Sequence, residues 1–166
     1  LKSEGLRDVT ELTWWQNVMH AGFTITYVPA QHFSGRGLSD RNTTLWGGFV
    51  VRTPEQKQIY FGGDTGYGPF TNEIFARHGA MDLSLIPIGA YEPREFFKDM
   101  HNNPDDAVLT HLDLHSRQSI ACHFGTFQLT AEAIHAPARD LKAALLVRHI
   151  PESAFIVPQV GHEYRF

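Results

Sequence analysis

The chain is predicted to be an α/β protein, a mixed β-sheet with helices, and three observations predict it. Its first third is a run of short, alternating segments of strand character. Its middle holds a strand, a glycine-rich turn, a helical stretch and a near-continuous apolar run in direct succession. Its last third alternates helical spacing with brief buried-strand patterns. At 166 residues it is long enough for one domain with its own core.

Residues 6–18 are expected to form one or two short strands, with Trp14 and Trp15 as packing residues. Residues 23–28 read Phe-Thr-Ile-Thr-Tyr-Val, the period of two of a half-buried strand, and lead through Pro29 into a loop. That loop is Ala30-Gln31-His32-Phe33-Ser34-Gly35-Arg36-Gly37. Residues 43–52 predict another strand and residues 53–57 a polar turn. Ile59-Tyr60-Phe61 opens a buried strand that breaks into Gly62-Gly63-Asp64-Thr65-Gly66. Residues 70–79 have helical spacing, with Gly79 as the stop. Residues 81–88 form an apolar strand ended at Pro87, so the unit reads as a right-handed βαβ crossover. Asn103-Pro104-Asp105-Asp106 is a helix start, with proline just inside and acids in the first turn. The remaining elements are a strand over 119–123, a helix over 137–149 and a closing strand over 154–158.

Composition narrows the function. The chain is 42% hydrophobic and 19% charged, with a mean hydropathy of −0.25, which is the balance of a soluble globular protein. No apolar run reaches the roughly 20 residues of a membrane helix, so an integral membrane protein is not expected. The formal charge of −4 and the lack of a Lys/Arg cluster argue against a nucleic-acid partner. Cys122 is the single cysteine, so no internal disulfide can form. Ten histidines are the outlier, and histidine is the commonest metal ligand. Residues 1–10 carry no signal-peptide pattern, and a first residue of Leu1 suggests a chain that begins partway through something longer.

Three positions share one design, in which a strand ends and His or Asp follows beside small or glycine-rich backbone. They are Pro29-Ala30-Gln31-His32, Gly62-Gly63-Asp64 and Ala121-Cys122-His123-Phe124-Gly125. If the strands lie side by side, His32, Asp64 and His123 meet at one sheet edge, where ligand crevices of α/β sheets open. Two imidazoles and a carboxylate suit zinc, iron(II) or manganese(II). Each position also has an ordinary reading. Gly-Asp-x-Gly is a common turn, and a lone histidine at a strand end is often just hydrogen-bonded. Adjacent strand residues point to opposite faces, so Cys122 is expected in the core if His123 faces the site. His111 and His115, four apart on the 103–116 helix, have zinc-compatible spacing, but Leu112 stands where a His-Glu-x-x-His motif needs glutamate. They are read as a solvated helix face.

Several blocks together resemble the metallo-β-lactamase-fold hydrolases, within them the branch of N-acyl-phosphatidylethanolamine-hydrolysing phospholipase D and its bacterial relatives. The blocks are Pro29-Ala30-Gln31-His32, Leu45-Trp46-Gly47-Gly48, Phe61-Gly62-Gly63-Asp64-Thr65-Gly66-Tyr67, Ile86-Pro87-Ile88-Gly89-Ala90-Tyr91-Glu92-Pro93-Arg94 and His123-Phe124-Gly125-Thr126-Phe127. The resemblance implies an αββα sandwich of two similar halves. Residues 1–166 would be the carboxyl-terminal half, a mixed sheet with helices packed on one face. It implies two divalent metal ions, zinc before iron or manganese, with His32 on one, His123 on the other and Asp64 bridging. A hydroxide held by the ions would attack a phosphodiester or related ester, so the substrate would be a small molecule or lipid. His101, in Met100-His101-Asn102-Asn103-Pro104, would join Asp64 as a catalytic residue by binding or protonating substrate. Tyr91 and Glu92 would line the substrate pocket.

One departure is large. The family's His-x-His-x-Asp-His motif, which supplies most metal ligands, occurs nowhere in the chain. The expected partner is therefore the amino-terminal half or a second chain, covering a sheet face that would otherwise be a large apolar patch. Two other readings stay open: a non-catalytic half-domain that associates through that face, and a single-metal hydrolase that recruits His101, His111 or His115.

Overall fold

Among the described residues, seven strands lie side by side in the order in which the chain makes them, and four helices fill the connections. A computed structural model of the chain describes residues 5–166; the start of the 1–10 segment read above lies outside them. The strands are β1 (Asn17–His20), β2 (Phe23–Val28), β3 (Gly48–Arg52), β4 (Gln58–Phe61), β5 (Leu83–Pro87), β6 (Gln118–Cys122) and β7 (Phe155–Ile156). The helices are α1 (Phe70–His78), α2 (Arg94–Phe97), α3 (Pro104–Asp113) and α4 (Ala136–Val147). β1 to β4 pair antiparallel as a meander, and β4 to β7 pair parallel. Parallel neighbours need a crossover, and α1, α3 and α4 are spent on those three crossings.

Register decides which side of the sheet is covered. Val50, Tyr60, Ser84, Ser119 and Phe155 form one cross-strand row. The helices lie on that row's side: Tyr60 and Val50 share a core with Ile74 of α1, and Phe155 shares one with Val108 of α3 and Leu141 and Leu145 of α4. Each such aliphatic or aromatic side chain contributes on the order of 1.5–3 kcal/mol by leaving water. The alternate row is Phe49, Phe61, Leu85, Ile120 and Ile156, with Tyr27 opposite Phe49. Its members are half-buried or exposed, and Phe61 is 44% exposed. One sheet face is packed by helices and the other is an apolar surface.

The local signals explain most elements. Asn103 caps α3 by accepting from the Asp106 amide (2.8 Å), with Pro104 at the first helical position. Gly79 ends α1 at φ +82°, and its amide donates to the Phe75 carbonyl (2.7 Å).

Four expectations need correction. No strand forms over residues 6–16; pairing starts at Asn17, because Trp15 takes a left-handed φ of +73° that breaks extension. Residues 43–47 are also irregular rather than strand, since a Cβ on Gly47 would stand 2.3 Å from the Val28 carbonyl and the backbone there packs instead of pairing. His111 is not on a solvated face: it is 6% exposed, its Nδ1 bonds Ser119 Oγ (2.8 Å), and its ring stacks on Phe155. α3 lies between sheet and α4, so its histidine-bearing side turns inward. His115 is exposed and stacks on Phe75. Cys122 shares the row parity of Ile120, so it faces the open sheet side rather than the helix-packed core.

The buried imidazole has a pH consequence. Burial pushes the His111 pKa below the usual histidine value. The fold therefore holds it neutral, while the unfolded chain takes up a proton near pH 6.5. Its contribution is complete above that pH and is lost as pH falls, at up to about 1.4 kcal/mol per pH unit. We predict that His111→Gln, which cannot ionise, flattens the stability slope between about pH 7 and 5. Urea midpoints across that range should show it, and an unchanged slope would contradict the assignment.

Candidate metal centre

β2, β4, β5 and β6 all run the same way, so their carboxyl ends fall on one rim of the sheet. His32 follows β2, Asp64 follows β4, Ala90 follows β5 and His123 follows β6. The loops at this rim are tied to each other. The Gly66 amide donates to the Gln31 carbonyl (2.8 Å), and the Gln31 amide donates to Thr65 Oγ1 (2.9 Å). Trp46 Nε1 donates to the Ala30 carbonyl (3.0 Å), and Trp14 Nε1 to the Trp46 carbonyl (2.6 Å). The indoles thus hold the His32 loop from behind.

A cleft of about 430 Å³ opens above the rim, lined by His32, Asp64, His101 and His123 with Arg41 and apolar Phe97 among the others. Asp64 Oδ1 and His123 Nε2 face each other at 3.3 Å. That contact lowers the Asp64 pKa and raises the His123 pKa from their ordinary values. The His101 ring lies 5.1 Å from the His32 ring and 5.4 Å from the His123 ring, between centroids. Burial, reinforced by these two neighbours, pushes the His101 pKa down to about 4, so it is neutral at pH 7. His32 Nδ1 bonds the Phe33 carbonyl (2.9 Å), which leaves Nε2 as the free ring nitrogen. His32 Nε2, His101 Nδ1 and His123 Nδ1 are all buried without a hydrogen-bond partner among the described residues.

Orphaned imidazole nitrogens on His32 and His123 beside the Asp64 carboxylate have the donor chemistry that divalent transition metals take, and a third orphan, on His101, faces the same cleft. Among the described residues, however, no three His, Cys, Asp or Glu side chains are gathered closely enough to hold an ion by themselves. His111 and His115 are not near the rim, so they do not complete the set. The Cys122 thiol is pushed up to about 12 by burial, which removes it as a nucleophile at neutral pH.

Tyr91 and Glu92 fall elsewhere. Tyr91 is buried and its hydroxyl donates to Asp140 Oδ2 (2.7 Å), while Glu92 accepts from the Arg94 amide (3.2 Å). Both line a separate groove with Asn103 and Asp140 rather than the rim cleft. Sequence reasoning missed Glu132, whose carboxylate accepts the amides of Ala90, Tyr91 and Glu92 and the Thr130 hydroxyl. It fixes the loop after β5, where Ala90 holds φ +65°. His123 itself sits at φ +57°, against Gly89, where a Cβ would stand 2.2 Å from the His123 carbonyl. Such conformations are held by surrounding structure and concentrate at functional sites. No residue pattern announces either feature.

Sheet, one-sided helices and rim together define the metallo-β-lactamase fold. Two solved structures share it at 18% identity: an isothiocyanate hydrolase from gut bacteria of Delia radicum (TM-score 0.73, 99% of this chain and 62% of that one) and a metallo hydrolase from Ignicoccus hospitalis (TM-score 0.69, 99% and 64%). Residues 1–124 match the family described as the beta-lactamase superfamily domain, and the chain belongs to that family. It is 40% identical over 166 residues to the N-acyl-phosphatidylethanolamine-hydrolyzing phospholipase D 1 of Caenorhabditis elegans. The alignment takes in 96% of this chain but 46% of the nematode protein, so the chain spans about half the length of that relative.

Proposed function

We propose that this chain is the carboxyl-terminal half of a metal-dependent hydrolase, and that the complete protein cleaves a phosphodiester of the N-acyl-phosphatidylethanolamine type or a related ester. The observation that carries the reading is the convergence of His32, Asp64, His101 and His123 on one cleft, with three imidazole nitrogens left unpartnered. The name of the nematode relative supports the substrate class. His32 and His123 would each hold a divalent ion, zinc before iron or manganese, and Asp64 would bridge the two, with further ligands from a second half. The ions would supply Lewis acidity and an activated water at neutral pH.

The chain's own residues would do the rest. Asp64, just past the end of β4 and 3.3 Å from His123, would help fix the spacing of the imidazole ligands. His101, neutral at pH 7, presents its ring to a substrate oxygen and carries a proton only transiently. Phe97, Met100 and Leu129 line the cleft with apolar surface suited to an acyl or alkyl portion. Asp64→Asn in the complete protein is expected to lose metal and activity together while folding persists, because the side chain is 48% exposed. Replacing even an outer partner of a metal ligand costs about 10–100-fold, so the loss should be at least about 100-fold. Hydrolysis of N-acyl-phosphatidylethanolamine vesicles, read beside metal content, checks this. Full activity would remove the bridging role, and turnover of carboxylic esters alone would remove the phosphodiester.

The apolar row of Phe49, Phe61, Leu85 and Ile120 supports the second half of the proposal. A second half-sheet, from the same polypeptide or from a partner chain, would cover this face. The same row also favours a rival reading, a non-catalytic half-domain that only associates. We predict that the 166-residue chain alone self-associates in light scattering, and that charging Phe61 and Leu85 together (Phe61→Glu, Leu85→Glu) returns it to a monomer. A monomeric parent chain would contradict the covering role, and a complete protein devoid of metal would favour the rival.

A further inference from the structure

We infer that Arg94 is a positioning residue, which sets the place of His101 over the rim with Asp106 as its anchor. The inference rests on the reading that His101 acts on substrate. Arg94 opens α2, and its guanidinium forks between two acceptors: Nη1 donates to the His101 carbonyl (2.8 Å) and Nη2 to the Asp106 carboxylate. Asp106 lies in the first turn of α3 and its amide is held by the Asn103 cap (2.8 Å). The anchor is therefore the start of a helix packed on the sheet, not a loop. Both side chains are largely withdrawn from water, at 29% and 18% exposure.

The neighbouring peptides close the frame. The His101 amide donates to the Phe97 carbonyl (2.8 Å), and the Asn102 amide donates to the Thr65 carbonyl (2.8 Å), one residue beyond Asp64. His101 is thus gripped at its amide by α2, at its carbonyl by Arg94, and through its neighbour by the loop that carries the bridging carboxylate. With this frame in place the imidazole stands between the rings of His32 and His123. Of the three grips, only the one on the carbonyl comes from a side chain. A planar guanidinium can serve two acceptors at once, whereas an ammonium is a single point charge, so lysine would keep one contact at the expense of the other. Displacement of a reacting group by about 1 Å costs about 100-fold in rate.

The test uses the complete, metal-loaded protein. Arg94→Ala is expected to lower kcat about 10–100-fold with KM and metal content little changed. Arg94→Lys should restore part of the loss. In a His101→Ala background, Arg94→Ala should cost nothing further, because two residues acting through one group are not additive. The histidine imidazole NMR signals at fixed pH should show His101 shifted by Arg94→Ala and His111 unmoved. Arg94→Ala with Asp106→Asn, which leaves no unpaired charge, guards against a variant that merely unfolds. A full additional loss in the His101→Ala background, or an unshifted His101 signal, would overturn the inference. If His101→Ala keeps normal activity while Arg94→Ala still shifts the His101 signal, the placement stands and the role given to His101 falls.

Discussion

Strand direction is the constraint on which the remaining structure rests. β2, β4, β5 and β6 point the same way because β3 turns back once between β2 and β4 and every later connection is a crossover. Four loops are thereby forced onto one rim, and three of them bring His32, Asp64 and His123. A shift of one residue in any of these strands would move its row to the opposite face and turn its outgoing loop away. The parallel pairs are secured by side chains that cannot easily slip. Tyr60, Ile86, Ala121 and Phe155 are all buried on the helix side, and a one-residue slip would carry them to the open side.

Electrostatics then follow from crowding at that rim. The carboxylate of Asp64 stabilises charge on His123, while burial among imidazoles keeps His101 neutral. Neighbouring imidazoles are thus pushed in opposite directions by position alone, His123 up and His101 down. Around them the backbone is unusually determined: left-handed Ala90 and His123, the Glu132 carboxylate across three amides, and the Arg94 fork all fix loops that would otherwise be free to move.

Much of the architecture was legible in the residues. Phe23 to Val28 alternates with a strand's period, Asn103-Pro104 starts a helix by its own chemistry, and Gly79 ends one, so these elements stand where their local signals put them. The positions of His32, Asp64 and His123 could be singled out because each comes within a few residues of a strand's end. What could not be read depends on partners distant in the chain. Thr43-Thr44-Leu45 looks like strand, yet the backbone at Gly47 packs on Val28 and pairing begins only at Gly48. His111 looks like half of a polar helix face, but α3 is sandwiched and Ser119 receives its ring. Tyr91 lies away from the rim cleft, in a groove where its hydroxyl donates to Asp140 of α4, a contact no local pattern shows. Glu132 and Arg94 carry no motif, since their importance lies wholly in the backbone atoms they meet.

The account turns on whether the unpartnered nitrogens of His32 and His123 are ligand atoms. Anomalous X-ray diffraction from crystals of the complete protein, collected on both sides of the zinc, iron and manganese edges, addresses this directly. The account predicts anomalous peaks within roughly 2.0–2.2 Å of a His32 nitrogen, a His123 nitrogen and an Asp64 oxygen. Metal peaks bound elsewhere, or these nitrogens turned onto protein carbonyls and hydroxyls with no peak beside them, would contradict it.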